Sequence, residues 1–254
     1  MNHRMWIVAL ALMCRIATVY ADEPQAPTIT IPLRRGAFPT YHFVLRSTPK
    51  AIIIFGSGDG GWSQIENRVC TFLQQNRFYT VGIDFRKYAA TDYDLDVLVS
   101  DFKVIAAVAA TRAGNPQLPV IYAGWSMGAV QVVAASGDLD WRSPPFSRAS
   151  PDEYGSTRQI WIAAARTNWS GTGWRRYFWG GGFHGGSSES PVAQMSAIDD
   201  WMNNTDWIKT LKSPHRLYEL EHSNHDFNGV DDAVQTDLLD SITWILNSGQ
   251  QNSR

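Results

Sequence analysis

The chain reads as one α/β domain: a mostly parallel central sheet with helices on both faces. Three observations predict this. Strand-like and helix-like segments alternate five times along the chain. Several of the strand-like runs, residues 51–55 above all, are apolar at every position, as strands covered on both faces must be. The 254 residues, 44% of them hydrophobic, suffice for one large core and exclude an intrinsically disordered chain.

The chain opens as a secretory signal over residues 1–21 is expected to open. Arg4 gives a positive start, residues 5–13 are apolar, and Val19-Tyr20-Ala21 is a small-x-small cleavage site. The apolar run is too short to span a bilayer, which needs about 20 residues. Leu12-Met13-Cys14 is a poor lipoprotein signal, because the residue before the Cys is large. Cleavage after Ala21 removes Arg4 and Arg15, so the formal charge goes from −2 to −4. An acidic mature chain lacks the basic footprint of a nucleic-acid binder. Cys14 leaves as well, and Cys70 then stands alone. That excludes an intrachain disulfide and a zinc site built on cysteines. Cys70, beside Val69 and Leu73, reads as a small buried hydrophobe. No other segment is apolar enough to be a membrane helix.

Residues 22–28, Pro-rich and polar, read as a linker, and residues 29–254 as the domain. Strands are expected at residues 42–45 and 51–55, then a Gly-rich loop at 56–61. Ile65, Val69, Phe72 and Leu73 mark one face of a helix. A strand at 79–83 and a helix at 92–112 follow, the helix stopped by Gly114-Asn115-Pro116. Next come a strand at 120–123, a helix at 127–135, a Pro/Ser-rich loop at 143–151 and a strand at 160–165. Residues 166–190 are rich in Gly and aromatics without a clean period, and read as a lid-like insertion. A strand at 191–196, a helix at 201–211 and a strand at 216–220 precede the closing helix marked by Val230, Val234, Leu238, Ile242 and Ile245.

Gly124-Trp125-Ser126-Met127-Gly128 has the Gly-x-Ser-x-Gly form. Such a pentapeptide arises by composition in roughly one chain in ten of this length, so the form alone is weak. Its context is strong: it follows a buried strand and opens a helix, the setting of a nucleophile elbow. A serine hydroxyl needs a base. His225 lies in the loop between the last strand and the last helix, above the serine in this topology. We favour it over His222, three residues earlier, at the end of the strand. His42 and His215 read as strand-edge surface residues, and His184 as a loop histidine. A metal site at His222, His225 and Asp226 lacks a further cluster to complete it, so no metal or cofactor is expected. The base needs a carboxylate between the serine and the histidine in chain order. Asp199 and Asp200 stand at the end of the strand expected at 191–196, and Asp200 is preferred. Asp206 falls inside the next helix and reads as a solvated face. The oxyanion needs two backbone N–H groups, expected from Met127 and from Asp59 in the Gly-rich loop. That loop is no nucleotide cradle, because Trp62-Ser63 stands where Lys-Ser/Thr is required.

Together these motifs resemble the α/β-hydrolase superfamily, and within it the bacterial VirJ/AcvB proteins. The resemblance rests on Ser57-Gly58-Asp59-Gly60-Gly61-Trp62, on Gly82-Ile83-Asp84-Phe85-Arg86-Lys87-Tyr88, on the elbow, and on Asn224-His225-Asp226-Phe227-Asn228-Gly229. Where the family usually has two histidines before the Phe, this chain has one. The likeness runs from about residue 51 to 246. It implies the α/β-hydrolase fold, a periplasmic location, and in some members hydrolysis of the aminoacyl ester of aminoacyl-phosphatidylglycerol. Others are linked to type IV secretion and virulence. In this chain the resemblance implies Ser126 as nucleophile, His225 as base, Asp200 as its orienting acid, and Asp59 and Met127 at the oxyanion.

Trp169, Trp174, Arg175, Arg176, Tyr177, Phe178, Trp179 and Phe183 crowd the lid-like segment. Aromatics beside paired arginines suit a membrane interface and a phosphate headgroup, and equally an aromatic cover on the core with surface arginines. Trp125, Arg175 and Arg176 are the expected substrate contacts. Two alternatives to the lipid esterase remain: an esterase on a soluble or polymeric acyl ester, and a secretion-associated binding protein with a vestigial site.

Overall fold

The chain first makes a hairpin, β1 (Thr28–Leu33) and β2 (Gly36–Phe43). From sequence a strand is expected here only at residues 42–45; the hairpin lies earlier and carries Pro32 and Pro39. The hairpin tolerates both prolines because it lies at the sheet margin. β1 pairs with β2 alone, and Pro39 sits in the part of β2 that pairs only with β1. The computed structural model describes residues 26–91, 93–135, 160–165, 191–200, 205, 208–210, 214–228 and 230–251. The expected signal segment, the lid-like insertion, His184 and Asp206 lie outside them. Of the expected linker, Ala26 is buried and the Pro27 carbonyl accepts from the His42 N–H.

β3 (Ala51–Gly56) is buried throughout, as its unbroken apolar run requires. α1 (Gln64–Gln75) starts in a capping box: the Ser63 hydroxyl accepts from the Ile65 N–H and the Glu66 carboxylate accepts from the Ser63 N–H. β4 (Phe78–Ile83) leads into the four-residue α2 (Phe85–Tyr88). α3 (Leu95–Arg112) begins three residues later than expected, at the Asp94 cap, which accepts from the Val97 N–H. β5 (Val120–Gly124), α4 (Met127–Ala135), β6 (Ile160–Ala165), β7 (Val192–Ala197), β8 (His215–Leu220) and α5 (Asp231–Gln251) complete the order. In the region expected to be helical at 201–211, the described residues are Thr205, outside any element, and a 3-10 turn, Ile208–Thr210.

The strands form one sheet in the order β1-β2-β4-β3-β5-β6-β7-β8. Pairing is parallel for β4-β3, β3-β5 and β7-β8, and antiparallel elsewhere. Six of the eight strands therefore point the same way, with β2 and β6 against them. The loops after β3, β5, β7 and β8 consequently leave from one edge, the carboxyl edge, where open α/β sheets bind their ligands.

Side chains alternate across the sheet. Ile53 and Phe55 of β3 pack with Cys70 and Leu73 of α1 and Ile242 of α5. Ile52 and Ile54 pack on the opposite face with Leu98, Phe102 and Ile105 of α3 and Val132 of α4. Cys70 is fully buried, and burial pushes its thiol up, so it behaves as the expected inert hydrophobe.

His42 departs from its expected surface place. It is wholly buried where β2 pairs with β4. The Thr40 hydroxyl donates to the Ile29 carbonyl, so it accepts from His42 Nε2–H at 2.9 Å. His42 Nδ1 then accepts from the Tyr79 hydroxyl, also at 2.9 Å. Burial, helped by the Arg112 charge, lowers the His42 pKa to about 4, so the ring is neutral.

Candidate active site

The elbow is built by close packing. Trp125 N–H donates to the Gly56 carbonyl at 3.0 Å, which ties the end of β5 to the end of β3. A Cβ on Gly124 would lie 2.6 Å from the Gly128 carbonyl carbon, and one on Gly128 would lie 2.2 Å from the Ser57 carbonyl oxygen. Both positions must be glycine because neighbouring backbone occupies the space. The left-handed backbone falls on the serine itself: Ser126 has φ 53°. A residue with a Cβ is held there only by surroundings that over-determine it. The glycines supply room for the turn, and Ser126 carries its strain.

The Gly-rich loop lies on this elbow. A Cβ on Gly58 would be 3.2 Å from Ser126 Cβ and 2.8 Å from Trp125 Cδ1. The loop is pinned from behind. Ser57 N–H donates to the Ile83 carbonyl at 3.0 Å, and Ser57 Oγ accepts from the Phe85 N–H at 3.0 Å. Gly61 N–H turns back onto the Gly58 carbonyl at 3.1 Å. Asp59 follows Gly58 directly, with its side chain exposed, and Met127 opens α4 directly after Ser126.

The other two loops are stitched together. Ile198 N–H donates to the Leu220 carbonyl at 3.1 Å and Asp199 N–H to the Ser223 carbonyl at 3.0 Å. Asn224 Oδ1 accepts from the Asp226 N–H at 3.1 Å and the Asn228 N–H at 3.2 Å. Phe227 N–H donates to the Asn224 carbonyl at 2.9 Å, and Phe227 sits at φ 52°. This tight loop brings His225 Nδ1 to 3.1 Å from Asp200 Oδ2. The Asp200 side chain is buried and the imidazole is partly exposed. With Nδ1–H donating to the carboxylate, Nε2 keeps its lone pair as a base requires.

Asp200 and His225 are thus brought together. Asp199 and His222 are not: both are exposed, and His222 lies in a turn at φ 55°. Trp125 joins the elbow to this pair. Its buried ring lies 5.0 Å from the His225 ring and 5.7 Å from that of Phe227, centroid to centroid. Arg175 and Arg176 lie outside the described residues. Asn224 and Gly58 stand in the motifs quoted from sequence but without a role there: an Asn one residue before a loop histidine signals an Asx turn, and the need for Gly58 is set by a contact distant in sequence. Among the described residues no group of three or more His, Cys, Asp and Glu is placed to hold a metal ion.

The fold is that of the α/β hydrolases. An α/β serine hydrolase without lid from Xanthomonas campestris is 14% identical, with a TM-score of 0.54 over 88% of this chain and 97% of that one. A dienelactone hydrolase from Anabaena variabilis is 16% identical, with a TM-score of 0.55 over 87% and 96%. Est1E from Butyrivibrio proteoclasticus is 13% identical, with a TM-score of 0.54 over 86% and 100%. Residues 50–144 match the model of the VirJ family, described as bacterial virulence protein. That stretch holds the Gly-rich loop, α2 and the elbow. No curated protein matches the chain.

Proposed function

We propose that the protein is an exported serine esterase that hydrolyses the aminoacyl ester of aminoacyl-phosphatidylglycerol in the periplasm. The observation that carries the esterase reading is the 3.1 Å contact between His225 and the buried Asp200, at the sheet edge that also carries the strained Ser126. The fold shared with several esterases and the VirJ match support it. The lipid substrate and the location rest on the family resemblance.

In this mechanism His225 Nε2 takes the Ser126 hydroxyl proton as Oγ attacks the ester carbonyl. Asp200 holds the ring tautomer and stabilises the imidazolium. The N–H groups of Asp59 and Met127 bind the oxyanion of the tetrahedral intermediate. Collapse expels the glycerol oxygen of the headgroup, which takes its proton from His225. Water, deprotonated by the same histidine, then attacks the aminoacyl-serine ester. The products are the free amino acid and regenerated Ser126. Arg175 and Arg176 are proposed to hold the headgroup from the lid-like segment.

The test is labelling of the purified protein with a fluorophosphonate, beside Ser126→Ala and His225→Ala. Labelling of wild type alone supports an activated serine. Release of amino acid from aminoacyl-phosphatidylglycerol vesicles, set against hydrolysis of a soluble ester, then decides the substrate. No labelling of folded wild type would overturn the esterase reading.

A further inference from the structure

One conspicuous sequence motif, Gly82-Ile83-Asp84-Phe85-Arg86-Lys87-Tyr88, takes no part in the chemistry above. The fold accounts for nearly all of it. Gly82 leaves room for the Trp62 ring, which a Cβ there would meet at 2.0 Å. Ile83 is wholly buried in the core. Asp84 caps α2 by accepting from the Lys87 N–H at 3.1 Å, and the Lys87 ammonium lies 3.1 Å from its carboxylate. Phe85 is buried against Gly56 and gives its N–H to Ser57 Oγ. Tyr88 donates its hydroxyl to the buried Asp101 at 2.9 Å.

Arg86 is the exception. Its stem lies along the Gly-rich loop: a Cβ on Gly61 would be 3.4 Å from both Arg86 Cβ and Cδ. Its side chain is exposed, and among the described residues no carboxylate pairs with it. The nearby Asp84 charge is already balanced by Lys87. Gly61 in turn is one hydrogen bond from Gly58, which touches Ser126. A guanidinium is thus anchored by its stem on the Gly-rich loop that packs against Ser126, and among the described residues no carboxylate takes up its planar fork. A planar fork of this kind matches the oxygens of a phosphate or carboxylate.

We propose that Arg86 is a substrate-binding residue that takes an anionic group, phosphate in the first instance, carried by the ester cleaved at Ser126. This rests on the esterase reading for its place beside the reaction, and its own test is one of binding.

The experiment measures equilibrium binding to Ser126→Ala protein, with Arg86 intact or changed to Gln or Lys. The probes are sn-glycerol 3-phosphate in solution, with glycerol as its neutral control, and phosphatidylglycerol vesicles, with phosphatidylcholine as theirs. Arg86→Gln should weaken binding of the anionic probe about 10- to 100-fold, and Arg86→Lys by less, because Lys keeps the charge without the fork. A loss confined to vesicles assigns the anion to a lipid headgroup, and a loss confined to glycerol phosphate assigns it to a soluble ester. Equal binding by the Gln variant and its parent to both anionic probes, or absence of binding by the parent to either, overturns the proposal. Fluorophosphonate labelling of protein with Ser126 intact reads the esterase separately: labelling without an Arg86 effect sinks only Arg86, and an Arg86 effect without labelling sinks only the esterase.

Discussion

Ser126 sits at φ 53°, a conformation that costs a residue with a Cβ about 1–2 kcal/mol. Ser126→Gly should therefore stabilise the fold by about 1 kcal/mol in urea unfolding, whereas Ser126→Ala, which keeps the Cβ, should not. Both should lose about 10⁶-fold in turnover if Ser126 is the nucleophile. A Gly variant no more stable than the Ala variant would show that the elbow holds no strain. Asp200→Asn should leave the fold intact and lower turnover about 10⁴-fold, because the amide no longer selects the tautomer of His225.

At the scale of elements, α4 owes its position to two close approaches of backbone to backbone. Alanine at Gly128 favours a helix by about 1 kcal/mol. Its Cβ, however, would lie 2.2 Å from the Ser57 oxygen and 2.4 Å from the Gly56 oxygen. Neither oxygen belongs to a movable side chain, so the clash wins. Gly128→Ala should destabilise by about 3 kcal/mol, and any backbone shift that relieves it should also displace the Gly-rich loop. The β1–β2 hairpin is fastened in a different way. Asp101 of α3 is fully buried and accepts from the Arg34 N–H at 3.1 Å and the Tyr88 hydroxyl at 2.9 Å. The Arg35 guanidinium lies over the Tyr88 ring, 4.1 Å from its centroid. Asp101→Ala strands these donors and should cost about 3 kcal/mol by thermal or urea melting.

For the whole molecule, His42 links stability to pH. Its folded pKa of about 4 lies below the ordinary 6.5, so between these values the unfolded chain binds the proton and the folded chain does not. This contribution is fully present above about pH 6.5 and shrinks as pH falls toward 4, by about 3 kcal/mol in all. Urea midpoints measured across that window should show the slope, and a His42→Gln variant should flatten it. The sheet also sets where chemistry can occur. Six strands share one direction, so the loops after β3, β5, β7 and β8 meet at one edge although their residues lie far apart in sequence.

The sequence by itself determined the α/β class, the strand–turn–helix around Ser126 and most of the helices, because these depend on periodicity and on glycines within a few residues of one another. The Gly-x-Ser-x-Gly form, the loop histidine and the paired aspartates pointed to loops after particular strands as the candidate site. Tertiary structure alone decided what depends on partners distant along the chain. It made an edge hairpin of a proline-bearing segment, because the sheet margin tolerates a missing N–H. It buried His42, because Thr40 and Tyr79 satisfy both ring nitrogens. It set Asp200 rather than Asp199 beside His225, because adjacent residues at a strand end face different ways and only packing selects one. It set the strain of the elbow on Ser126, and it left Arg86 exposed beside the loop at Gly61, a place set by a contact between β4–α2 and the Gly-rich loop.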